Sequence, residues 1–274
     1  MMITENSIAG IADWVELSLL FEKEFISKSF IENELTRNSI TMNEQVIDDI
    51  FTELEKRLEF YGLPVPYILE NEIIKRKIEW NKRPDLAMCI FLNYFGAANE
   101  SKATKLFERI SNEAVKTYID GESYLMGFPN DEGLKENIKE VAKKSNEKLG
   151  NISELRPTDK DREVDIIAWK SFEDKRPGQI VLLVQCASGK HWQNKKSIPN
   201  QWNDYILWAS KYLTGLTISE IITDINILFR HSRDQYGIIF DRARLYRLIS
   251  QKELNNELNE KIVEWCKNKF DNLN

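Results

Sequence analysis

Histidine is nearly absent from this 274-residue chain, with only His191 and His231, so a His-rich metal site is excluded. There are three cysteines, Cys89, Cys186 and Cys266, far apart in the chain. An odd, scattered set is neither a disulfide framework nor a CxxC zinc pattern. Eleven glycines and seven prolines are too few for a collagen-like or linker-type chain. No apolar run approaches the ~18 residues a membrane span needs. The start, MMITENSIAG, lacks a basic stretch followed by an apolar one, so no secretory signal is expected. These absences point to a soluble cytoplasmic protein. What is present is a folded composition, 42% apolar, 11% aromatic and 30% charged. Disordered chains lack that aromatic and aliphatic content. The net charge of -6 is not that of an obvious nucleic-acid binder.

Length allows one or two domains. Residues 1–98 read as a helical region. Ile11, Trp14, Leu17, Phe21 and Phe25 recur at helical spacing, and Val46, Ile47, Ile50, Phe51, Leu54 and Leu58 form a second stripe ending at Gly62. LPVPY (63–67) breaks the pattern, 68–80 looks helical again, and 85–96 reads as a buried helix, with strand as the alternative. Residues 99–250 read as an α/β (α+β) core. It opens with a helix over 103–121 and a charged helix over 132–149. EVDIIAWKSF (163–172) and GQIVLLVQCA (178–187) then read as two strands joined by a turn with Pro and Gly. The second is apolar throughout, as a strand buried on both faces would be. A basic loop (188–200), an aromatic helix (201–213), a short strand (225–230) and a strand-then-helix unit (236–249) follow. Residues 251–274 read as a C-terminal helix packing on the core.

The segment from Asp159 to Lys196 carries the chemistry. Asp165 sits early in one strand of the hairpin and Gln185 at the end of the next, so the two can meet at its open end. A carboxylate beside an amide oxygen suits a hard divalent cation that keeps several waters. Lys190, just past Gly189, can position an attacking water or stabilise developing charge. Glu163, two residues from Asp165, shares its strand face and is a candidate second metal acid. On the 103–121 helix, Glu113 and Glu108 flank the apolar stripe, and Glu113 is preferred by a small margin. Cys186 with His191 is not read as a nucleophilic pair, because Cys186 points opposite to Gln185 and fits a buried core residue.

This pattern resembles the PD-(D/E)XK nuclease superfamily, the restriction-endonuclease-like fold, over about residues 100–250. In that family an acid on one strand is followed by Glu or Gln, any residue, then Lys on the next. Asp165 matches the first acid, Gln185 the Glu/Gln position and Glu113 the acid of the preceding helix. The place of the usual lysine holds Ala187, so the resemblance moves that role to Lys190. It implies a mixed sheet flanked by helices, Mg²⁺ or Mn²⁺, and hydrolysis of DNA phosphodiesters in bacterial restriction or anti-phage defence. It leaves open an RNA substrate, a partner ATPase or helicase subunit, a homo-oligomer, or an inactive nuclease-fold subunit that binds a partner protein or nucleic acid.

Charge read by segment fits a polyanion ligand. Residues 190–250 hold nine Lys and Arg against five Asp and Glu, a net of +4, leaving -10 for the remainder. Lys190, His191, Trp192, Lys195, Lys196, Arg244 and Arg247 are the candidate nucleic-acid contacts. Asp241 either forms salt bridges with its neighbours or is buried against Arg244.

Overall fold

A computed structural model describes residues 1–40, 44–97, 101–127, 133–156 and 162–273. The N-terminal region holds helices α1 (Ile8–Phe21), α2 (Lys28–Arg37), α3 (Glu44–Tyr61) and α4 (Pro84–Phe95), with strands β1 (Phe25–Ser27), β2 (Tyr67–Glu70) and β3 (Ile73–Arg76). Helices α1 and α2 begin at serines whose hydroxyls accept the amides of Gly10 and Phe30. Residues 68–80 form no α-helix. Asn71 and Glu72 both adopt positive φ, +49° and +59°, and turn the chain into an antiparallel β2–β3 hairpin. Such a two-residue turn matches the twist of paired strands, and that pairing overrides the helical spacing.

The chain continues through α5 (Ser101–Ile119), β4 (Glu122–Leu125), α6 (Leu134–Lys144), β5 (Lys148–Leu149), β6 (Ile166–Lys170) and β7 (Ile180–Ala187). It ends with α7 (Trp202–Tyr205), β8 (Ile206–Leu207), β9 (Leu213–Ile218), α8 (Ile225–His231), β10 (Ile238–Phe240), α9 (Arg242–Gln251) and α10 (Asn256–Asp271). The expected α/β architecture is present as a five-stranded mixed sheet flanked by helices, in the order β10-β9-β7-β6-β4. Strands β4, β6 and β7 pair antiparallel, and β7, β9 and β10 pair parallel. This is a mixed sheet flanked by helices, as the resemblance implies.

Two further expectations change, and a strand forms where none was expected. Residues 201–213 form only the short α7 before the chain enters β8. LTGLTI becomes β9, an interior strand between β10 and β7, where a Cβ added at Gly215 would lie only 3.0 Å from Ile238 O. INILFR is helix α8 rather than a strand, because the Asp224 carboxylate accepts the amides of Asn226 and Ile227 and starts a helix there.

Alternation along β6 and β7 separates two apolar layers. Ile166, Ala168, Leu182, Val184 and Cys186 pack with α5, α9 and the N-terminal helices in one cluster. Ile167, Trp169, Val181 and Leu183 pack with α6 and Trp202 in another. The first cluster runs from Ile3 to Cys266, so α1–α4, α5, α9 and α10 share one core. The expected boundary at 98/99 falls outside the described residues. Among those residues no helix is long and apolar enough to cross a membrane.

A buried ion network lies inside the shared core. Arg57 of α3 donates to Asp13 Oδ1 (2.7 Å), Glu16 Oε2 (2.9 Å) and Glu53 Oε1 (2.8 Å). Arg242 of α9 donates to the same Asp13 and Glu16 oxygens, at 2.8 and 3.2 Å. Asn93 donates to Asp13 Oδ2 and Tyr67 to Glu16 Oε1. Burial opposes ionisation of Asp13, but the charges of Arg242 and Arg57 and the hydrogen bonds from Arg242 and Asn93 hold its carboxyl below the usual range.

Arg242→Ala leaves two buried acids short of a cation and should destabilise the fold by about 3–5 kcal/mol, read from urea unfolding. Because the folded-state value for Asp13 is depressed, its contribution is complete above the ordinary carboxylate value of about 4. It is lost as pH falls through the lower folded value, and urea midpoints measured down an acid series should show that loss. In Asp13→Asn the midpoint should depend less on pH over this range.

Candidate active site at the open end of the β6–β7 hairpin

The start of β6 and the end of β7 lie side by side, with Ile166 opposite Val184. The amide of Asp165 also donates to Val184 O, so two consecutive residues face one partner and the strand bulges. A bulge re-aims a side chain. Here the Asp165 carboxylate turns onto the end of β7, where Oδ2 accepts the amide of Cys186 at 2.6 Å. Before it, Arg162 and Glu163 both take left-handed backbone, φ +50° and +63°. Such backbone is uncommon for residues other than glycine. It brings Glu163 to Gln185, whose Nε2 lies 3.4 Å from Glu163 Oε2. Gln185 is buried. The structure therefore gathers Asp165, Glu163 and Gln185 at one end of the hairpin. Asp159, where the segment begins, lies outside the described residues.

Glu113 is not brought to this junction. It is half-buried on α5, and its carbonyl accepts the Thr117 hydroxyl. The acid of α5 whose charge acts on Cys186 is Glu108. The Cys186 thiol is pushed well up by burial, and next by the negative charge of Asp165, with Glu108 adding to it. Thr104, Glu108 and Ser111 follow one another at helical spacing on α5, and Thr104 and Cys186 line the same cleft. Glu113 lies about 140° round the helix from Glu108. The polar stripe 104–108–111 was the sequence signal for the acid that faces β7.

That cleft has a volume of about 720 Å³ and runs from Thr104 and Cys186 along Ser188, Lys190, His191 and Lys195. Lys190 Nζ pairs with Glu5 Oε1 from the segment before α1 and lies 6.0 Å from the centre of the Tyr94 ring. Glu5 crosses α1 at Gly10, where an added Cβ would lie 2.4 Å from Glu5 Cβ. The amide of Thr4 donates to Tyr94 Oη at 2.7 Å and fixes the same segment. His191 and Lys196 are exposed and Lys195 half-buried.

Trp192 departs from its expected surface role. Its ring is 1% exposed, packed with Ala187, Leu216, Ile218 and Tyr236. Its Nε1 donates to Glu220 Oε2 at 2.6 Å. The ring anchors the basic loop instead of presenting itself to a ligand. Burial pushes the Glu220 carboxyl up, against the opposing Trp192 hydrogen bond. Arg244 and Arg247 are exposed on α9 and do not line the cleft. The Arg244 side chain donates to Ile239 O at 2.5 Å, and the Arg247 guanidinium lies over Gly62. Asp241 is buried and caps α9, accepting the amides of Arg244 and Ile222.

The donors at the junction are all oxygens: two carboxylates and an amide. They fit a hard cation that takes one or two protein ligands and keeps its remaining waters. They do not form an all-protein cage. Among the described residues no three His, Cys, Asp or Glu side chains are grouped to hold a metal. Thiol chemistry is disfavoured by position. All three cysteines are buried, the Cys89 thiol pushed up to about 12 and those of Cys186 and Cys266 well up, in each case first by burial. A thiol-reactive dye at mildly alkaline pH should label none of them in the native protein and all three after unfolding.

No family model matches the chain, and no curated protein matches it. Among solved structures, the restriction endonuclease FokI is similar at a TM-score of 0.23 and 9% identity, over 92% of this chain. The alignment spans 46% of the FokI chain.

Proposed function

We propose that the protein is a metal-dependent nuclease of the PD-(D/E)XK type that hydrolyses DNA phosphodiester bonds. The observation that carries this reading is the bulged start of β6, which sets the Asp165 carboxylate beside Gln185 and Glu163 and on the amide of Cys186, a residue that lines the basic cleft. Asp165, Glu163 and the Gln185 amide oxygen are the residues that would hold Mg²⁺ or Mn²⁺. A bound divalent cation supplies Lewis acidity toward a phosphate and lowers the pKa of a coordinated water. Lys190 offsets charge on the phosphate, and to do so it exchanges the Glu5 carboxylate for a phosphate oxygen. His191, Lys195 and Lys196 extend the positive surface along the strand backbone. A defence role, and a partner ATPase or helicase subunit, belong to the same proposal through the resemblance.

A second reading has its own observation. Ala187 holds the position of the usual lysine, and Lys190 is already neutralised by Glu5. An inactive nuclease-fold subunit that binds a partner protein or nucleic acid would show the same pair of features.

Plasmid DNA incubated with purified protein and Mg²⁺ separates the two readings. The nuclease reading expects cleavage that EDTA abolishes and that Asp165→Ala lowers ~100-fold or more. Lys190→Ala should lower it as well. Equal cleavage by wild type and Asp165→Ala would sink the proposal, and RNA run in parallel decides the substrate. Glu5→Gln, which takes the carboxylate off Lys190, should tighten DNA binding measured without metal.

A further inference from the structure

The Lys190 end of the cleft carries an acid of the chain itself. Glu5, from the segment before α1, pairs with Lys190, the first cation of the basic loop, across 185 positions of sequence. Exposure separates this pair from the ion network in the core. The Lys190 and Glu5 side chains are 34% and 33% exposed, whereas those of Arg242 and Asp13 are 0% and 2% exposed. Breaking the buried pair strands a charge away from water. The Lys190–Glu5 pair opens without that penalty, because water reaches both partners. It is an exchangeable contact, and an incoming phosphate oxygen can replace the carboxylate on the ammonium.

The carboxylate is nevertheless aimed. Residues 1–6 form no helix or strand, so contacts outside the segment hold it. On one side of Glu5 the Thr4 amide donates to Tyr94 Oη at 2.7 Å, and Ile3 is buried in the shared core. On the other side Ser7 caps α1 by accepting the Gly10 amide. The Tyr94 ring that holds Thr4 also lies 6.0 Å from Lys190 Nζ. Gly10 completes the seat. A Cβ there would collide with Glu5 Cβ, and the nearest atoms around it all belong to Glu5 and Ser7. Gly10 lies in the first turn of α1 and its φ is not positive. Alanine is the better helix former at such a position, so the close passage of Glu5 accounts for the glycine.

A carboxylate held this way is an intramolecular ligand, present at a high effective concentration whatever the surroundings contain. A small anion that meets Lys190 alone competes with it poorly. A phosphate backbone that engages Lys190 together with His191, Lys195 and Lys196 competes well, because its contacts act jointly. We propose that Glu5 is an autoinhibitory competitor, seated by Gly10 and Tyr94, whose carboxylate occupies Lys190 until a nucleic-acid backbone displaces it. This rests on the nucleic-acid reading of the cleft and adds its regulation.

Gly10→Ala unseats Glu5 without removing a charge, and the readout is fluorescence anisotropy of a labelled DNA duplex in EDTA, so that cleavage plays no part. Gly10→Ala should bind about threefold more tightly than wild type, Glu5→Gln should match it, and the double variant should gain nothing further. In a Lys190→Ala background both gains should vanish. Urea midpoints identify a Gly10→Ala protein that fails to fold, and Glu5→Gln with and without Lys190 then decides. A folded Gly10→Ala protein with wild-type affinity overturns the proposal. So does a Glu5→Gln gain that persists in full without Lys190, which is a general charge effect, or an absence of binding by wild type and both variants. Failure of the nuclease reading looks different: affinity that depends on Gly10 and Glu5, without Asp165-dependent cleavage, removes catalysis and retains the competitor.

Discussion

Two arginines and two carboxylates, all removed from water, join the parts of this molecule. Arg57 and Arg242 share the same oxygens of Asp13 and Glu16, so α1, α3 and α9 meet at one set of charges. Each ion is costly to bury alone, and only the joint arrangement keeps the cost low. Arg242 Nε and Nη1 have no partner among the described residues, so the arginine depends on the contacts at Nη2 for its compensation. Helix α9 follows directly on β10, an edge strand of the large sheet. The network thus fixes the N-terminal helices against the sheet, beyond what apolar packing, which is non-directional, would specify.

That placement reaches the candidate site. The position of α1 sets where the residues before it can lie, and Glu5 reaches Lys190 across the glycine at position 10. One ion pair thus links the segment before α1 to the basic loop, although the two are far apart in sequence. On the other side of the loop, buried Trp192 and the Tyr236 hydroxyl hold its backbone, which leaves its cations facing outward. A basic segment following an acidic half is thus also a spatial arrangement, with one acid of the N-terminal part set on the first cation of the loop.

The β6–β7 hairpin was legible because its strands carry long β-branched and apolar runs separated by a turn with Pro and Gly, and those local signals agree with the final pairing. Asp165 and Gln185 stood out for the same reason: each interrupts or ends such a run. Strand β9 was not legible. LTGLTI is short and contains a glycine, and it becomes a strand through its neighbours β7 and β10. Residues 68–80 have helical spacing but turn at Asn71 and Glu72. INILFR has strand-like composition but begins at an aspartate that caps a helix.

The sequence by itself determined the α/β class, the hairpin, the buried helix α4, and the polar residues at the open end of the hairpin, because each follows from the period of apolar residues along one stretch of chain. Tertiary structure alone decided what those residues touch. Helix rotation chose Glu108 over Glu113 at β7, a bulge aimed Asp165 at the Cys186 amide, core packing took Trp192 away from solvent, and distant burial paired Arg242 with Asp13. These outcomes depend on contacts between residues up to 229 positions apart, which no local pattern encodes.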